Sequence, residues 1–152
     1  MINKENKTLE PLIGFTMEEF EMFFVNLGEK AFRGRQLFDW IYNHQVDDIL
    51  LMTDIPKYIR KKLKNTPIHP LKLINKNISN SKKTQKFVFE LKTKERIEAV
   101  LMKSKNRITI CLSTQVGCAV DCKFCATAKM GFKKNLSVGE IIDQFVQIQK
   151  LV

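Results

Sequence analysis

Three cysteines fall within eight residues, Cys118, Cys122 and Cys125, in the stretch QVGCAVDCKFCATAKMGF, and Phe124 directly precedes the last of them. Thiolates spaced C-x3-C-x2-C on one short loop can hold three irons of a four-iron cluster. The fourth iron is then open to a small molecule, whereas clusters that only carry electrons commonly take four protein ligands. Zinc is the competing reading, but structural zinc wants four ligands, typically as two short pairs separated by a longer span. The fourth cysteine, Cys111, lies seven residues before Cys118 in the apolar run ITICLS, and both histidines, His44 and His69, are far upstream. A zinc set of Cys111, Cys118, Cys122 and Cys125 would have an unusual spacing. A disulfide framework fits less well still, because the chain is large, shows no secretory signal and has Cys122 and Cys125 too close for ordinary stapling. A reducing cytoplasmic setting is expected, with no apolar run long enough for a membrane span.

The elements that must position this loop can be read from periodicity. The run Arg107 to Ser113 reads as a strand feeding the cysteines. After them Ser137 caps a helix with Glu140 three residues on, and Ile141, Phe145, Ile148 and Val152 form its apolar stripe. Strand, ligand loop and helix make one βα unit with the chemistry at the carboxyl end of the strand, where βα barrels place ligand sites. Upstream, Leu71 and Leu73, then Phe87, Phe89 and Leu91, then Ile97, Ala99 and Leu101, then Ile108, Ile110 and Leu112 alternate at period two. Three or four strands are expected, with a hairpin at Thr93 and a solvated loop from Asn75 to Thr84.

The first part of the chain reads as helical. Residues 1–15 are expected to be a flexible arm. Thr16 and Glu19 form a capping box, Phe20, Phe23, Phe24 and Leu27 recur at helical spacing, and Gly28 stops the helix. A second helix covers about Arg33 to Asn43, burying Leu37, Phe38, Trp40 and Ile41, with Gly34 weakening its first turn. Asp54 is expected to cap a third helix with Pro56 in its first turn, carrying Ile55, Ile59 and Leu63 on one side and Lys57, Arg60, Lys61, Lys62 and Lys64 on the other. The expected organisation is therefore α/β. A small three-helix module (16–66), read as an accessory RNA-binding part, precedes a short β-meander and the first βα unit of a partial barrel (67–152). The pattern stops inside an amphipathic run at Val152, so the chain is expected to be the front portion of a longer enzyme, inactive alone.

Charge is uneven. Net charge is −5 from Met1 to Pro56, +13 from Lys57 to Arg107 and +2 from Ile108 to Val152. A basic middle band of this kind is the electrostatic footprint of phosphate-backbone binding; a solvated lysine-rich surface is the plainer alternative.

The three-cysteine motif with an aromatic before its last thiol resembles the signature of the radical S-adenosylmethionine superfamily. The stretch CLSTQVGCAVDCKFCATAKMGFKKNLSVGEI, with GEKAFRGRQLFDWIY and MTDIPK upstream, resembles the amino-terminal portion of the RlmN family of dual-specificity RNA adenine carbon-2 methyltransferases. The sister Cfr family, which acts at carbon 8, shares much of the motif, and a non-catalytic zinc- or RNA-binding module is the other alternative. The resemblance implies a [4Fe-4S] cluster on Cys118, Cys122 and Cys125, S-adenosyl-L-methionine on the open iron with Phe124 beside its adenine, Glu98 as proton acceptor and Cys111 as resolving thiol. It also implies reductive C–S cleavage to a 5′-deoxyadenosyl radical, a methyl-cysteine intermediate and a transient disulfide. The implied partners are ribosomal RNA, tRNA and an electron donor such as flavodoxin or ferredoxin, the protein being a monomer. Taken without the family, Glu98 reads as an outward strand residue, Cys111 as a small buried hydrophobe and Phe124 as core packing. The family's methyl-carrying cysteine has no counterpart, since no cysteine follows Cys125.

Overall fold

A computed structural model describes residues 10–120, 123 and 131–151. The chain forms two compact units, 1–69 and 70–152.

The first unit contains α1 (Met17–Asn26), α2 (Phe32–Tyr42), a 3-10 turn (Ile49–Leu51) and α3 (Lys57–Leu63). The Thr16 hydroxyl accepts from the Glu19 N–H at 3.2 Å and the Glu19 carboxylate accepts from the Thr16 N–H at 2.7 Å, which completes the capping box. At the other end Gly28 adopts φ +80. There the Gly28 N–H donates to the Val25 carbonyl and the Glu29 N–H to that of Phe24, so two orphan carbonyls are satisfied by a Schellman turn. Phe20, Phe24, Leu37 and Ile41 make the α1–α2 core, with Phe23, Phe38 and Trp40 half-buried rather than fully inside.

Gly34 has a role that its helix propensity hides: a β carbon on it would lie 2.3 Å from the Glu21 nitrogen, so α2 can approach α1 only because the side chain is absent. Asp54 does not cap α3. The N-cap is Pro56, with no side-chain bond, and the Asp54 carboxylate instead accepts from the Trp40 indole. The end of the expected arm is also held in place. Leu12 and Ile13 are buried, and their N–H groups donate to the carbonyls of Pro67 and Ile68, each at 3.0 Å.

The second unit is built on a four-stranded antiparallel meander, β1 (Leu71–Ile78), β2 (Thr84–Leu91), β3 (Arg96–Lys103) and β4 (Ile108–Cys111), in sequential order. It is followed by the short pair β5 (Gln115–Val116) and β6 (Lys134–Asn135), then α4 (Val138–Gln149). Period-two alternation puts Phe87, Phe89, Leu91, Ile97, Ala99 and Leu101 on one face, where they pack with Leu71, Val116, Leu136 and Ile148. Burying each phenylalanine is worth about 1.5–3 kcal/mol.

The expected loop from Asn75 is strand as far as Ile78, because β2 supplies hydrogen-bond partners for a segment of poor intrinsic propensity; a register shift lies between Leu73 and Asn75. All strand pairings among the described residues are antiparallel; β4 and α4 flank the cysteine stretch as expected, but no parallel strand pair of a barrel is among them.

Helix α4 carries the expected capping box, but its buried side differs from the expected stripe. Phe145 is exposed, while Asp143 and Gln144 are fully buried. The Leu71 N–H donates to the Asp143 carboxylate at 3.0 Å, and the Gln147 amide donates to the Leu71 carbonyl at 3.1 Å. The Gln144 amide accepts from the Ser113 N–H and donates to the Ser113 carbonyl, both at 2.9 Å.

Candidate active site

The cysteine loop is closed at its base by backbone alone. Gln115 pairs with Asn135 and Val116 with Lys134. The Lys133 N–H donates to the Val116 carbonyl at 2.9 Å, and the Leu136 N–H to that of Thr114 at 2.8 Å. Within this stem Gly117 (φ +73) and Gly131 (φ +68) meet so closely that a β carbon on Gly117 would lie 1.7 Å from the Gly131 carbonyl oxygen. Residues 117 and 131, which flank the cysteine motif, are therefore held in direct backbone contact. Cys118 stands at the exit of the stem, half-buried and free. Cys122, Phe124 and Cys125 lie outside the described residues.

Register places the other two candidates. Val88 pairs with Glu98, Lys86 with Val100, and Val100 with Cys111, so Glu98, Val100 and Cys111 share the sheet face opposite the hydrophobic core. Glu98 and Cys111 are diagonal neighbours there, a separation on the order of 7–8 Å. Both are exposed, so Cys111 is not the buried hydrophobe that its apolar run suggested.

That face forms one wall of an open cleft of about 470 Å³, lined among others by Asn75, Asn77, Lys86, Glu98, Gln115 and Gly117. Gly117 is common to the cleft and the loop stem. The cleft thus reaches the residue immediately before Cys118. The Lys86 ammonium lies 3.1 Å from the Glu98 carboxylate. The Ser113 hydroxyl donates to the Glu98 backbone carbonyl at 2.8 Å, and Ser113 is itself clamped by Gln144. Sequence reasoning passed over Ser113, Gln144 and the two stem glycines. The glycines flanking the cysteine motif were the available signal.

The donor set suits an iron–sulfur group better than structural zinc. Three soft sulfur donors fall within eight residues of sequence, of which Cys118 adjoins the stem, and the remaining cysteine lies on β4. No group of three potential ligands gathers among the described residues. Cys111 and Cys118 are both free there, so the expected disulfide has no support. No helix among the described residues is long and apolar enough to cross a membrane.

Comparison with known proteins gives first a class and then a family. A radical SAM methyltransferase from Sphaerobacter thermophilus superposes with a TM-score of 0.87 at 37% identity, over 93% of this chain and 42% of that one. Residues 11–68 match the family model described as the ribosomal RNA large subunit methyltransferase N-terminal domain, RlmN_N. A probable dual-specificity RNA methyltransferase RlmN from Caldanaerobacter subterraneus subsp. tengcongensis is 48% identical over 88% of the chain and 39% of its own length. The dual-specificity RNA methyltransferase RlmN of Wigglesworthia glossinidia brevipalpis is 42% identical over 100% of the chain and 39% of its own length. The resemblance to the amino-terminal portion of the RlmN family therefore holds in both sequence and fold. The chain spans about two fifths of the length of the curated relatives it matches.

Proposed function

We propose that this chain forms the amino-terminal part of a radical-SAM RNA methyltransferase that modifies carbon 2 of adenine in 23S ribosomal RNA and in tRNA through a methyl-cysteine intermediate. Cys118, Cys122 and Cys125 would hold three irons of a [4Fe-4S] cluster, and Phe124 would lie against S-adenosyl-L-methionine. When bound, that pair supplies one-electron cleavage of a carbon–sulfur bond, with the electron coming from a flavodoxin- or ferredoxin-type donor. The chain's own residues bind, orient and move a proton. The loop stem keeps Cys118 next to Gly117, which lines the cleft. Glu98 takes the proton that leaves carbon 2 of the ring, and the Ser113 hydroxyl holds the Glu98 backbone in place. Cys111, exposed on the same face, would act as the resolving thiol by attacking the methylated sulfur. The first unit, through α3, serves as an accessory RNA-binding module, and the second unit begins the catalytic barrel.

The observation that carries this reading is Gly117, which joins the three-thiol loop to the cleft that contains Glu98. The test is anaerobic reconstitution of residues 1–152 with iron and sulfide. A brown protein with about four irons per chain is expected, and Cys118→Ala should lose it. A colourless protein that takes up zinc instead would overturn the assignment.

A further inference from the structure

The two ends of the four-stranded sheet differ in charge. At one end, the β2–β3 turn and the neighbouring strand ends carry Lys72, Lys92, Lys94 and Arg96 together with Glu90 and Glu95, and Lys94 is paired with Glu90 at 2.9 Å. The opposite end holds the β1–β2 and β3–β4 turns. It carries Lys82, Lys83, Lys103, Lys105 and Arg107 and no acidic residue from Ile74 to Glu90 short of that glutamate, nor from Ala99 to Ala119. None of these five cations has an ion-pair partner among the described residues, in contrast to Lys86, Lys94 and Lys134.

The two turns are joined through backbone. The Lys103 N–H donates to the Lys83 carbonyl at 2.7 Å, and the Ser104 N–H to that of Arg107 at 2.8 Å. The backbones that carry the five charges thus meet along one rim of the sheet. Uncompensated like charges along one rim repel one another and are relieved by a polyanion, which releases its counterions on binding. Asn77 and Lys86 run from this rim into the cleft. Five residues of β3 separate Glu98 from Lys103, about 16 Å at strand rise.

We propose that this rim docks the phosphate backbone of RNA flanking the nucleotide that enters the cleft. The contact reads charge and spacing rather than bases, so it would serve RNA substrates of different sequence. The proposal rests on the reading of RNA as substrate and adds a second contact surface, distinct from α3.

The test is fluorescence anisotropy of the full 152-residue chain with a single-stranded RNA and an RNA hairpin between about 50 and 200 mM salt. Two charge-matched double variants are compared, K82E/K105E on the rim and K72E/K92E at the opposite end, with circular dichroism to show that both fold. The rim variant should bind about tenfold or more weakly, with a salt slope reduced by roughly one to two. The opposite-end variant should stay within about twofold. Equal losses in both variants, or no loss in the rim variant, would overturn the proposal. Iron uptake by the same proteins reports on the cluster separately. A rim effect without iron would sink the enzyme reading alone; iron without a rim effect would sink this surface alone.

Discussion

The α carbon of Gly117 faces the carbonyl of Gly131 with no room for a methyl group between them: a β carbon would sit 1.7 Å from that oxygen. Gly117→Ala should therefore destabilise the second unit by about 2 kcal/mol or more. Alanine at positive φ alone costs on the order of 1 kcal/mol, and the backbone overlap adds to it. Because this contact pins the loop, reconstituted iron should fall with it. Urea melts and iron analysis check the two parts, and an alanine variant with wild-type stability would contradict the closed stem.

Gly34→Ala separates packing from propensity. In an open helix the change would gain up to about 1 kcal/mol. Here the new carbon would lie 2.3 Å from the Glu21 nitrogen and 2.5 Å from the Phe20 carbonyl carbon. A net loss of about 2 kcal/mol is expected, since helix backbones cannot yield as a flexible side chain can. Chemical denaturation of the variant gives the sign directly.

Gln144→Ala removes both partners of the half-buried Ser113 backbone. Each orphaned group costs about 1–3 kcal/mol, so roughly 3 kcal/mol of stability should be lost. Gln144→Glu keeps an acceptor for the Ser113 N–H and loses the donor to the Ser113 carbonyl, so it should fall between alanine and wild type. Comparing the three midpoints in urea, with unchanged slopes, tests the clamp.

The Glu90 carboxyl is held below its ordinary range, first by the hydrogen bond from Lys94 and then by the charges of Lys94, Arg96 and Lys72, against opposing desolvation. A carboxyl depressed in the folded state contributes stability that is present above its unfolded pKa and fades as pH falls through the folded value. Lys94→Met should move the Glu90 titration upward toward the ordinary carboxylate range, as followed by carbon-detected NMR. An unmoved titration would show that the pair is not formed in solution.

What could be read from the residues was whatever depends on neighbours in sequence. The Thr16–Glu19 and Ser137–Glu140 boxes lie three residues apart, and the alternation in β2 and β3 is a local period. What could not be read depends on partners far along the chain. Asn75 to Ile78 become strand only because β2 lies alongside, and β5 and β6 are two residues each, too short for any period to register. Asp143 and Gln144 fall outside the apolar stripe read on α4, and their partners, Leu71 and Ser113, are 72 and 31 residues away. For the site, the thiols announced themselves by spacing. That Glu98 and Cys111 share one face required the β3–β4 register.

The bonds from Asp143 and Gln147 to Leu71 have a bearing on how the polypeptide matures. Hairpins between successive strands can form within microseconds of emerging, since their ends are close in sequence. Both backbone groups of Leu71, however, wait for partners more than seventy positions downstream. Most of β1 can thus pair early with β2, while its first residue is tied down only once α4 has been synthesised.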